Sequence, residues 1–259
     1  MKVVLVQPNV VWEDPSANFS RTTALLEADP PCPGSLVVFP ETFATGFTLS
    51  VEAARPAESP SLSEMFLQET ARRHRCAVIG GVIGFSEENP ASLANQAVIF
   101  DAGGTRLGCY QKQRPFSLIG EPACYPPGRR SVVFEWGGFR IAPLICYDLR
   151  FPELFRAPAI AGVTAFVVIA QWPARRQEHW ITLLRARAIE NQAFVIGVNR
   201  CGTDPQFAYP GRSLVVNPHG VVIADAGETE RLVTAEIDPN EAESWRREFP
   251  ALRDAGWGD

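Results

Sequence analysis

Ile141-Ala142-Pro143-Leu144-Ile145-Cys146-Tyr147-Asp148-Leu149-Arg150-Phe151-Pro152 reads as a buried strand that ends at a cysteine, turns, and gives way to a helix starting near Pro152. In α/β folds, side chains at the C-terminal ends of apolar strands project into a crevice bordered by loops and helix starts. Two other strand ends deliver a charged residue in the same way. Leu36-Val37-Val38-Phe39-Pro40 leads to Glu41, and residues 105–111 lead to Lys112.

Outward from these stretches, β-branched runs recur at 2–7, 36–39, 77–83, 94–100, 105–112, 131–136, 139–145, 165–170, 194–199, 213–217, 221–226 and 232–237. Helical spacing falls between them at 18–28, 61–74, 152–161, 178–191 and 239–249. Hairpin punctuation at Asp101-Ala102-Gly103-Gly104, Gly137-Gly138 and Asn217-Pro218-His219-Gly220 predicts antiparallel neighbours. Hairpins mixed with strand-helix-strand units predict an α/β fold of two mixed sheets packed face to face under outer helices. No linker or repeat divides the chain, so residues 1–259 are expected to form a single domain. Within it, 239–259 carries Trp245, Phe249, Leu252 and Trp257 at helical spacing, a segment expected to dock on the body or on a partner subunit.

Composition narrows the function. With 46% apolar and 20% charged residues the 259-residue chain reads as globular, and 24 basic against 29 acidic residues argue against a broadly basic surface for nucleic acid or anionic membrane. Six dispersed cysteines without a Cys-x-x-Cys, and only three histidines, disfavour a metal framework. The first residues read as a strand and not as a signal peptide, and the uncharged stretch 157–174 is broken by Pro158, Gly162 and Pro173, so no membrane span is expected. Free thiols then point to the cytoplasm. Gly80-Gly81-Val82-Ile83-Gly84 matches no phosphate-binding fingerprint and reads as a strand-end turn.

Cys146, between a strand and a helix, has the sequence context of a nucleophile elbow, where a tight turn exposes the reactive atom. An ordinary thiol with a pKa of about 8.5 is mostly protonated at neutral pH, so a catalytic one needs a base or a positive neighbour. Glu41 offers the base and Lys112 the cation. Taken singly, each has a plainer reading: a small buried hydrophobe for Cys146, a helix-start carboxylate for Glu41, a solvated strand end for Lys112.

Read jointly, the motifs resemble the nitrilase, or carbon-nitrogen hydrolase, superfamily. The matching pieces are Phe39-Pro40-Glu41-Thr42-Phe43, Tyr110-Gln111-Lys112, Cys146-Tyr147-Asp148-Leu149-Arg150-Phe151-Pro152-Glu153-Leu154, Gln171-Trp172-Pro173, Arg187-Ala188-Ile189-Glu190-Asn191-Gln192 and Gly211-Arg212-Ser213. The resemblance implies a four-layer αββα sandwich, commonly a homodimer. It implies Cys146 as nucleophile, Glu41 as general base, Lys112 with the Tyr147 backbone N–H as oxyanion donors, and Glu121 as a second glutamate that orients Lys112 or substrate. No cofactor or metal is implied. The nearest likeness is to the omega-amidase branch, which hydrolyses the side-chain amide of small 2-oxo acids. Two departures from that branch stand beside the site: Lys112-Gln113-Arg114-Pro115-Phe116 in place of Lys-x-His-Leu-Phe, and Gln171 in place of Asn.

A monoamide of a dicarboxylic acid needs its far carboxylate held, and Arg114, Arg150 and Arg175 are candidates, with Arg150 equally suited to an ion pair with Asp148 or Glu153. Trp172 and Phe43 are expected along an apolar wall of the substrate pocket, or else in the core. Competing readings are a thiol protease pairing Cys146 with a histidine, His179 before His74 or His219; an N-carbamoyl amidohydrolase or an acyltransferase; and a non-catalytic binding protein on the same fold.

Overall fold

The computed structural model describes residues 1–255. The first sheet is formed by β1 (Lys2–Gln7), β2 (Leu36–Val38), β3 (Ala77–Phe85), β4 (Leu93–Phe100) and β5 (Arg106–Gln111), closed at its other edge by β14 (Arg231–Glu236). The second contains β6 (Phe134–Trp136), β7 (Phe139–Ile145), β8 (Ala165–Ala170), β9 (Phe194–Asn199), β12 (Leu214–Val216) and β13 (Val222–Asp225). A separate two-stranded ribbon joins β10 (Cys201–Thr203) to β11 (Ala208–Pro210). The sheet orders are β14-β1-β2-β3-β4-β5 and β13-β12-β9-β8-β7-β6. In each sheet the central strands are parallel and the flanks antiparallel, β1 with β2 and β3 in one, β7 with β8 and β9 in the other. The helices are α1 (Pro15–Ala28), α2 (Val51–Ala54), α3 (Leu62–His74), α4 (Glu121–Cys124), α5 (Glu153–Ile160), α6 (Gln177–Asn191), α7 (Pro239–Glu248) and α8 (Ala251–Asp254).

Strand alternation builds the layers. Val3 and Leu5 of β1 face a core shared with Ile141, Phe166 and Val168 of the other sheet, whereas Val4 and Val6 face Leu26 of α1 and Leu67 of α3. The helices over this outer face are closed by their own termini: Asp14 accepts from Ala17 ahead of Pro15, and Ser61 with Glu64 makes a reciprocal capping box. Two six-stranded mixed sheets with helices around them make an α/β sandwich, as expected.

Two local expectations change. Gly80 to Gly84 lie inside β3 and not in a turn. A Cβ on Gly81 would sit 2.4 Å from the Glu41 backbone, so the missing side chain lets the Glu41 segment cross the strand. The ribbon β10–β11 was not anticipated. At the C-terminus, the Arg246 guanidinium donates to the carbonyls of Val163, Asn191 and Gln192, and Trp245 packs between His219 and Phe249. Trp257 lies outside the described residues.

Candidate active site

Three strand ends from two sheets converge. Beyond β2, Phe39 still donates to Ile79, and the Pro40 carbonyl accepts from Gly81. The chain then turns sharply through Glu41 into Thr42, whose φ of 41° lies in the left-handed region. Lys112 is the first residue past β5, its N–H on Asn95 of β4 and its carbonyl on Gly128. Cys146 follows β7 with a φ of 48°, a conformation that costs a non-glycine residue about 1–2 kcal/mol. Such strain aims a side chain that regular backbone would turn elsewhere.

Beneath the sulfur lies a buried polar floor. The Lys112 ammonium donates to Glu41 Oε1 at 2.9 Å and to both Glu121 oxygens at 3.0 and 2.9 Å. Asn95 Nδ2 donates to Glu41 Oε1 at 2.7 Å and Glu121 Oε1 at 3.0 Å, and Phe116 N–H also reaches Glu121. Gln171 N–H donates to Glu41 Oε2 at 2.9 Å, while its side-chain amide binds the Glu41 and Thr42 carbonyls and the Thr42 hydroxyl. Glu41, Lys112 and Glu121 are all essentially inaccessible. Burial works against the Lys112 ammonium, but Glu121, Glu41 and Cys146 overcome it and hold its pKa above the usual lysine range. Lys112 is therefore a fixed positive charge here, not a base.

The thiol is in the opposite situation. Burial, then the Glu41 charge, push Cys146 well above the usual thiol range; Lys112 and the Gln171 backbone pull it back only in part. The Cys146 sulfur lies 3.9 Å from the Gln171 carbonyl, so Gln171 touches the base through one backbone atom and the thiol through the other. A neutral thiol beside an ionised carboxylate can become nucleophilic by passing its proton to Glu41 as it attacks, which leaves the total charge of the buried cluster unchanged.

Above the floor opens a pocket of about 490 Å³, lined among others by Glu41, Lys112, Cys146, Tyr147, Arg150, Gln171 and Trp172. Its walls also include Phe47, Phe116, Arg176, Phe207 and Tyr209, none of which was marked in the sequence. Glu121 sits beneath Lys112 and does not line the pocket. Phe43 is a correction: its ring is fully buried among Phe19, Phe39 and Phe66 under α1 and α3, and Phe47, one turn further on, takes the wall. Arg114 is a second correction. Its backbone N–H binds Asp148, and its guanidinium points away from the pocket to Glu153 and the Phe151 ring. Arg175 lies over Phe207 outside the lining. Among the described residues no histidine lines the pocket; His179 is exposed and touches Arg150. No cluster of three or more potential metal ligands, and no helix long and apolar enough to cross a membrane, occurs among the described residues.

Arg150 and Arg176 differ from other charged groups at the site in having no carboxylate partner among the described residues. Arg150 stacks over Trp172 and Tyr147, and Arg176 over Phe116. Asn95, Asp148 and Gln171 are the polar residues that sequence reading undervalued. Asn95 was legible only as a polar residue in an apolar run, Asp148 only as an ion-pair partner for Arg150, and Gln171 only as a departure.

The carbon-nitrogen hydrolase family profile matches residues 2–247. The chain is 37% identical over 259 residues to the omega-amidase YafV of Escherichia coli K12, covering 98% of this chain and 96% of that one. To the 2-oxoglutaramate amidase of Bacillus subtilis 168 it is 32% identical, covering 96% and 95%. A crystal structure of a carbon-nitrogen hydrolase superfamily protein from Xanthomonas campestris, with an arsenic adduct in its active site, superposes with a TM-score of 0.89 at 33% identity, covering 100% of this chain and 97% of the other.

Proposed function

The chain belongs to the carbon-nitrogen hydrolase family and is an amidase, and from that premise we propose that it hydrolyses the terminal amide of a small 2-oxo dicarboxylic acid through a thioester on Cys146. The observation that carries the reading is the position of one ammonium, Lys112, between Glu41 and Glu121 in the pocket that also holds Cys146. Glu41 takes the thiol proton as sulfur attacks the amide carbon. The oxyanion formed lies against the Lys112 ammonium and the Tyr147 N–H. A preorganised donor of this kind is worth about 2.7–4 kcal/mol of barrier. Glu41 returns the proton to the departing ammonia, then removes one from water so that hydroxide equivalents attack the thioester, and the acid leaves as sulfur recovers its proton. Glu121 and Asn95 hold Lys112 and Glu41 in place throughout.

Support for the substrate class comes from the mouth of the pocket. Arg150 and Arg176 present unpaired positive charge above an aromatic wall, which suits a short chain with an amide at one end and a carboxylate at the other. The relatives named for omega-amides point the same way.

The test is ammonia release from a panel of omega-amides, N-carbamoyl amino acids and nitriles, measured for the wild type and Cys146→Ala. Turnover confined to omega-amides and lost in Cys146→Ala is the expected result. Equal rates in the two proteins remove the mechanism. Turnover of carbamoyl compounds alone keeps the mechanism and replaces the substrate. Adding hydroxylamine separates hydrolysis from acyl transfer, since a thioester open to amines yields the hydroxamate.

A further inference from the structure

Lys112 and Cys146 come from different sheets, so the separation of ammonium and sulfur depends on whatever locks the end of β5 to the end of β7. Among the described residues one buried side chain hydrogen-bonds to both. Asp148, fully buried in the turn after Cys146, accepts from Ile145 N–H at 3.0 Å and from the Tyr110 hydroxyl at 2.8 Å on one oxygen, and from Arg114 N–H at 2.8 Å on the other. Tyr110 and Arg114 stand two residues before and two after Lys112; Ile145 immediately precedes Cys146. We propose that Asp148 is a positioning residue that sets the Lys112 ammonium against the Cys146 sulfur by bracketing the first on both sides and anchoring the second from behind. The inference rests on the reading of Lys112 and Cys146 as partners in one reaction.

A turn-capping carboxylate would need only the Ile145 contact; the two bonds to the other sheet go beyond it. The matching lock on the base side is Gln171, which ties the end of β8 to Glu41. Asp148 also has no cation in hydrogen-bond contact. Burial raises its pKa to about 6, opposed by the Ile145 N–H, Lys112, Tyr110 and the Arg114 N–H. Tyr110 and Lys112 are the titratable groups facing it. The sign follows directly: a carboxyl whose folded pKa lies above its ordinary value is favoured by folding when protonated, so stability falls as pH rises from the ordinary carboxyl range through 6, and the ionised form carries the full cost above it. Above pH 6 the anion accepts all three donors at that cost. Below pH 6 the carboxyl is neutral, and the bonds from its three donors lose the strength that an ionised acceptor gives them.

The test is Asp148→Asn, which keeps shape and removes charge, alongside Tyr110→Phe. Folded protein is counted by its native unfolding transition, and modification of Cys146 is read by peptide mass because Cys32 is also an exposed thiol, so that misfolded protein is not read as slow protein. In Asp148→Asn an amide NH₂ faces one of the former donors. Expected are a fall in kcat per active site of about 10- to 100-fold, the scale associated with small misplacements of reacting groups, and a KM within about threefold. A melting temperature at pH 8 no lower than wild type, and a shift of the acid limb near pH 6 to lower pH, complete the signature. Tyr110→Phe should show a smaller kcat loss of the same kind. A kcat per active site within threefold of wild type, or an unmoved acid limb, overturns the proposal. Cys146→Ala run beside them separates the two readings: activity surviving there sinks the nucleophile and this role with it, whereas activity lost there but kept in Asp148→Asn sinks the role of Asp148 alone.

Discussion

At the floor of the pocket, every charged side chain is matched: the Lys112 ammonium meets three carboxylate oxygens, and Asn95 divides its amide between the same two glutamates. A few ångströms above, Arg150 and Arg176 lean on aromatic rings and meet no carboxylate. The charges of the floor are paired with one another before substrate arrives, as preorganised transition-state stabilisation requires, and only Asn95 Oδ1 among its side-chain atoms is left without a partner. The mouth is charged and unsatisfied, which leaves its arginines available to a ligand. The proposed function thereby assigns chemistry and selectivity to separate groups, and substitutions should separate kcat from KM accordingly.

The largest effect is expected at the centre of the floor. Lys112→Met leaves two buried carboxylates without their cation and, on the proposed mechanism, removes an oxyanion donor. Losing one partner of a buried charge cluster costs about 3–5 kcal/mol of stability, and losing the donor lowers kcat by about 10²–10³-fold. Thermal unfolding and turnover measured on the same preparation check both. A variant that melts and turns over like wild type would remove Lys112 from the centre of the floor.

Asn95→Ala comes next. It strips one donor from each glutamate while Lys112 still reaches the same two oxygens, and a hydrogen bond to a charged group is worth about 1.5–3 kcal/mol. Expected is a fall in kcat of about tenfold or more with KM little changed. An equal rise in KM would put Asn95 in contact with substrate and blur the line between floor and mouth.

At the mouth, Arg176→Gln is expected to lower kcat/KM about 10- to 100-fold for an amide that carries a far carboxylate, matching the 1.5–3 kcal/mol of a hydrogen bond to a charged group. For a neutral amide of the same length the change should be small. The wild-type preference for the anionic amide should also shrink with added salt, because a partly exposed charge is screened. Identical losses on both substrates would return Arg176 to the wall of the pocket as mere apolar stem.

How much of this could be read beforehand depends on how local each cause is. Glu41, Lys112 and Cys146 were legible because each directly follows an apolar strand, and strand ends are where α/β sheets expose side chains. Most strands and helices came out within a few residues for the same reason: period and punctuation act over short range. Asn95 lies within β4, and its partners are 54 and 26 residues away, so no spacing announces it. Asp148 reads in sequence only as a possible ion-pair partner for Arg150, yet it is buried and hydrogen-bonds to the other sheet. Phe43 and Phe47 follow left-handed residues at Thr42 and Gly46, and that irregular backbone decides which ring faces the core. The ribbon β10–β11 is too short for its residues to show a period, although it carries Phe207 and Tyr209 to the pocket.

The smallest expected effect falls on the residue whose sequence position was most misleading. Arg114 stands two residues from Lys112, at one of the two departures from the omega-amidase pattern, and its sequence position made it a candidate for holding the far carboxylate. In the fold only its backbone turns inward, to Asp148, while the side chain pairs with the exposed Glu153 at 3.5 Å. An exposed pair of that kind contributes about 0–1 kcal/mol. Arg114→Gln keeps the N–H that Asp148 needs and removes only the outward charge, so kcat and KM for anionic and neutral amides should each stay within about threefold of wild type. A selective loss on the anionic amide would extend the unsatisfied mouth to Arg114 and require its guanidinium to swing across Phe151 when substrate binds.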